Sequence, residues 1–228
     1  MQTRRLVWVG VFALAMAFVE AAVVVYLRRV LGVVDLLRDV AVYDPAIALT
    51  EIGRETATLL MLLAVGFATG RSLQSRIGFA LYAFGIWDIL YYVWLRLLLG
   101  WPRSLLTEDV LFLIPVPWWG PVLAPVLIAL LSTASGAVLV ARDETGRGVR
   151  LGRFECTALL AGMTIVLYTF MADALGALPA SAEELGRLKP TAFLWPAYLA
   201  GLAAMVFALW RAARTASRRD SASKMGER

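Results

Sequence analysis

Six stretches of the chain are apolar for long enough to form helices in lipid. They fall at about 6–27, 52–70, 77–99, 121–141, 157–178 and 192–210. A bilayer core of about 30 Å needs about 20 such residues in a helix. The pattern predicts an all-α polytopic integral membrane protein with about six transmembrane helices in one bundle over residues 1–211. A basic tail, 212–228, follows and is expected to be disordered or to lie on lipid headgroups. Arg4 and Arg5 ahead of an apolar run with Ala15, Met16 and Ala17 resemble a secretory signal. The run continues through Val23, Val24 and Val25, which suits a retained span better.

Polar positions inside these windows are few, and their depths agree. The first window carries Glu20, the second Arg54 and Glu55, the third Asp88 and Arg96, and the fifth Asp173. With an even number of spans the two termini share a side. Of the 22 Lys and Arg residues, 14 fall on the side of the termini, six on the opposite side and two within spans. The positive-inside rule then sets both termini in the cytoplasm and implies a cell-membrane location. In that orientation Glu20, Arg54, Glu55, Asp88, Arg96 and Asp173 all lie between the midplane and the outer surface, with Glu51 at the edge.

Helical spacing adds detail. Glu51 and Glu55 are four residues apart, and Thr58 and Leu62 extend the same stripe; Asp88, Tyr92 and Arg96 form a second stripe at i, i+4 and i+8. Charges at membrane depth cost about 2.5–3.5 kcal/mol each on insertion scales, so they face the bundle interior and find partners. Glu20, Glu55 and Asp88 are therefore expected to meet Arg54 and Arg96, with Tyr92 beside them. Such a cluster serves either as a site or as a structural charge network that fixes helix register.

Residues 105–125 hold Pro115, Pro117, Pro121 and Pro125 together with Trp118 and Trp119. Thr107 suggests a cap for a short helix through Asp109 and Val110, which the prolines would then end. The expected result is a Pro/Trp-rich interfacial or re-entrant segment between helices three and four. It reads as an aromatic anchor or as a lid over the carboxylates, with Glu108 and Asp109 as secondary members of the site beside Glu51 and Asp173.

Composition narrows the chemistry. The chain is 61% hydrophobic and 17% charged, against about 45–50% and 25% in soluble domains, so lipid must solvate much of its surface. The net charge of +5 comes from helix ends and the tail, where anionic lipid is the natural partner; nucleic acid is not. With no histidine and only Cys156, His-ligated haem, the usual zinc sites and Ser–His or Cys–His nucleophiles are excluded. Oxygen ligands from Glu20, Glu55 and Asp88 would suit magnesium, calcium or manganese.

Three readings remain open. One is binding or transport of a small cation or proton. Another is an outer-leaflet enzyme acting on a lipid phosphate or polyprenyl phosphate, with Arg54 and Arg96 holding the anionic ligand. The third is a non-catalytic subunit or assembly factor. Neither the inverted repeats of many transporters nor a phosphate-binding glycine loop is visible in the sequence.

Overall fold

Each apolar window becomes a helix whose ends are set by local chemistry. The computed structural model describes residues 2–33, 44–146 and 148–226; Arg38, Arg147 and Arg228, which enter the count of basic residues above, lie outside them. Helix α1 spans Gln2–Val30. Helix α2, Pro45–Thr69, opens with proline at its first turn, where no intrahelical donor is needed, and the Asp44 carboxylate accepts from the Ala46 and Ile47 amides. Helix α3, Leu73–Leu99, starts at a reciprocal Ser72–Ser75 capping box and stops at Gly100, whose φ of 66° is left-handed. Two short strands follow, β1 (Glu108–Val110) and β2 (Trp119–Pro121). Helices α4 (Leu123–Glu144), α5 (Arg153–Gly176), the five-residue α6 (Ala182–Gly186) and α7 (Trp195–Gly226) complete the chain. The helical backbone of α7 continues into the basic segment whose composition suggests disorder.

Six of these helices are long and apolar enough to cross a membrane: all but α6. Their outward faces agree with that. Val7, Leu60, Leu97 and Leu160 remain 59% to 69% exposed, a cost in water that vanishes in lipid.

Contacts between helix ends define the topology. Arg5 donates to the Thr69 carbonyl at 3.2 Å, Arg142 to the Ala213 carbonyl at 2.9 Å, and Arg211 pairs with Glu155 at 2.7 Å. The start of α1, the end of α4, the start of α5 and the late part of α7 thus share one end of the molecule with the α2–α3 turn. The strands occupy the opposite end, called here the hairpin end. Helix α3 is the hub, packed on α1, α2 and α4, while α5 packs mainly on α7. Small residues permit the closest crossings. A Cβ at Gly136 of α4 would lie 2.5 Å from the Gly78 carbonyl of α3, and one at Gly162 of α5 would lie 2.6 Å from the Gly201 carbonyl of α7.

The segment between α3 and α4 corrects the expectation of a short helix. Strands β1 and β2 pair antiparallel, with Asp109 opposite Gly120. The pairing continues as Leu111 donates to Trp118 and Trp118 to Phe112, both at 2.8 Å. The Thr107 hydroxyl accepts from Ser104 at 3.1 Å, so it closes the preceding turn and caps no helix. Three prolines between positions 115 and 121 remove helical donors, whereas a ladder satisfies the remaining amides across the chain. Trp118 stacks on Phe170 of α5, Leu111 and Phe112 pack into the cores of both halves, and Tyr198 of α7 donates to the Ala124 carbonyl of α4 at 2.6 Å. The hairpin therefore joins the α1–α4 unit to the α5–α7 pair.

Candidate functional site

Glu20 of α1, Glu51, Arg54 and Glu55 of α2 and Asp88 of α3 lie toward the hairpin end in two parts. In the first, Glu20 of α1 is 4% exposed. It accepts from the Arg54 guanidinium of α2 and from the Thr58 hydroxyl at 2.6 Å. Arg54 also holds Glu51 of its own helix, through Nε at 3.0 Å and Nη2 at 2.9 Å. One guanidinium thus serves two carboxylates and ties α1 to α2. The i, i+3, i+7 positions Glu55, Thr58 and Leu62 lie on the buried stripe of α2, as their spacing suggests.

The second part is built around the hairpin. Both carboxylate oxygens of Glu55, 6% exposed, accept from one amide, the Leu113 N–H, at 2.9 and 3.2 Å. Tyr92 of α3 donates to Asp109 of β1 at 3.1 Å. Asp88 lies one turn before Tyr92 and is 9% exposed; it has no hydrogen-bond or ion-pair partner among the described residues. It lies close enough to Asp109 for the two negative charges to oppose each other. Arg28 of α1 stacks 4.0 Å over Trp101 and its charge reaches Asp109. Tyr91 sits between the parts, within electrostatic reach of Asp109, Arg28, Arg54 and Asp88.

The expected residues are therefore divided. Glu20, Arg54 and Glu51 are brought together, as are Asp88, Tyr92 and Asp109, with Glu55 against the hairpin tip. Arg96 is not part of the cluster. Its Nη1 donates to the carbonyls of Gly100 and Pro102 at 2.6 and 3.0 Å, capping α3 because a long side chain near a helix end can reach those exposed acceptors. Asp173 accepts from the Thr191 amide at 2.9 Å and hydroxyl at 2.6 Å, pinning the end of α5 to the loop before α7. Glu108 and Asp173 both line a cavity of about 100 Å³, close enough for their charges to oppose each other. No group of three His, Cys, Asp or Glu residues converges to hold a metal among the described residues. Glu20 accepts from Arg54 and Thr58, and Glu55 from Leu113, in separate parts of the cluster. Sequence spacing gave no hint of two participants: Arg28, which reads as a loop charge, and the Leu113 amide, which has no letter of its own.

Electrostatics of the hairpin favour protons. Burial pushes Asp109 up from the ordinary carboxylate value of 3.8 to about 6, against the opposing pull of the Arg28 charge and the Tyr92 hydroxyl. Glu108 is raised as well, first by burial and then by Asp173 and Asp109. A raised acid binds its proton more tightly in the folded protein, so the folded state loses stability as pH rises through that range. The unfolding free energy of detergent-solubilised protein is expected to fall between about pH 4 and about pH 6, by up to about 3 kcal/mol for Asp109 alone. Asp109→Asn should flatten that slope. An unchanged slope would show that Asp109 titrates as a solvated carboxylate.

Comparison with protein families, curated proteins and solved structures finds no match. The class rests on the molecule itself: a helical bundle with six candidate membrane spans, buried charged residues, and a β-hairpin seated in one end.

Proposed function

We propose that this is a multi-pass protein of the cell membrane, with both termini cytoplasmic and the hairpin end outward, that binds or transports a proton at Asp88 and Asp109. The observation that carries this reading is the charge imbalance of the cluster. Among the described residues, Glu20, Glu51, Glu55, Asp88 and Asp109 face only Arg28 and Arg54, because Arg96 is turned to backbone carbonyls. An excess of carboxylates in a low-dielectric interior is relieved by a proton or a cation, and it repels phosphate. Of these five, Asp88 is the carboxylate without a hydrogen-bond or ion-pair partner among the described residues, and a two-carboxylate pair sharing one proton is a familiar solution. The imbalance also argues against a lipid-phosphate or polyprenyl-phosphate enzyme, since the guanidinium such a ligand needs is held by Glu20 and Glu51. The Glu20–Arg54–Glu51 part suits a structural clamp, and lipid remains the surrounding partner.

Infrared titration of the solubilised protein tests the proposal. Wild type is expected to keep the C=O stretch of a protonated carboxylic acid up to neutral pH, and Asp88→Asn to lose it while retaining its helical circular dichroism. An identical band in Asp88→Asn would place the proton elsewhere. Stoichiometric magnesium, calcium or manganese, lost in the same variant, would replace the proton with a metal ion.

A further inference from the structure

The cavity beside the hairpin has a composition that the carboxylate cluster alone does not explain. It lies between the end of α5, strand β2 and the loop before α7, and Glu108, Asp173, Thr169 and Thr191 are its polar lining residues. Its volume of about 100 Å³ has room for several water molecules. Water suits that lining, because it donates to carboxylates and exchanges hydrogen bonds with hydroxyls; an anion would be repelled by the acids.

Strand geometry connects this cavity to the buried pair. Successive residues of a strand point to opposite faces. Glu108 lines the cavity, while Asp109 accepts from Tyr92 inside the bundle. Glu108 lies within electrostatic reach of both Asp173 and Asp109, and Asp109 within reach of Asp88. Each acid thus lies within electrostatic reach of the next, from the cavity past the strand to α3.

We infer that the cavity is a water-filled inlet through which protons reach Asp109 and Asp88, with Glu108 as the residue that relays them. The inference rests on the proton-binding reading above. In each transfer a hydronium in the cavity gives its proton to a Glu108 oxygen and becomes water. Glu108 then returns to carboxylate as the same proton passes to Asp109, so charge and atoms balance.

A pH jump on the full-length solubilised protein, followed through the carboxylic C=O band that Asp88→Asn removes, separates rate from equilibrium. Glu108→Gln is expected to slow protonation by about a hundredfold, the lower end of what a positioned proton-transfer group contributes, with the final band unchanged. Ala172→Leu, which adds bulk at the cavity wall without altering charge, should slow it as well. Wild-type rates in both variants would overturn the inlet and leave the proton site standing. Absence of the Asp88-dependent band in wild type would instead overturn the proton reading on which the inlet depends.

Discussion

Replacing Arg54 with methionine is expected to destabilise the protein by about 3–5 kcal/mol, the usual consequence of removing one partner of a buried ion pair. The loss follows from the number of groups Arg54 serves. Glu20 is almost fully buried and would keep only the Thr58 hydroxyl, and Glu51 would lose its cation. Glu20→Gln in the same chain removes the stranded charge and should recover most of the stability, whereas Glu20→Gln alone should be the milder single change. Unfolding curves in detergent for the two single variants and the double variant give the coupling directly. Additive losses would mean that the Glu20–Arg54 contact does not hold α1 to α2.

Gly136→Leu is expected to separate α3 from α4 and cost at least about 3 kcal/mol, at or beyond the usual range for overpacking. Its Cβ would meet the Gly78 carbonyl at 2.5 Å and the Tyr82 amide nitrogen at 2.6 Å. Both are backbone atoms, so no rotamer change can relieve the clash. Gly53→Ala on α2 is a suitable control, because an added Cβ there meets nothing within 4 Å. Yield of folded protein and thermal midpoint should fall sharply for the first and hold steady for the second. Equal behaviour of the two would show that the crossing is looser than its glycines imply.

The spans were legible because lipid imposes a length on apolar runs that few other environments demand. Glu20, Arg54 and Glu55 were legible for a related reason: charge at that depth stands out against its neighbours. Arg96 shows where this logic stops. Its spacing from Asp88 and Tyr92 puts it on the same stripe, but a flexible four-bond side chain near a helix end chose exposed carbonyls over carboxylates two turns back. The hairpin was hidden for another reason. Thr107 and the acids after it carry a helix-start signature, and only cross-strand pairing with Trp119, Gly120 and Pro121 defeats it. Asp109 changed rank with that correction, from a secondary candidate to a buried residue held by Tyr92.

The Glu20–Arg54 contact also has a consequence for biosynthesis. The two residues are 34 positions apart, and chains grow at about 5–20 residues per second, so Glu20 is made about 2–7 s before its counter-ion. During that interval the first helix carries an acid with nothing to neutralise it. Delivery of α1 and α2 to the bilayer as a joined pair removes the problem, since the carboxylate then enters hydrocarbon already bound to its guanidinium. The earliest unit of assembly in the membrane is therefore two helices rather than one.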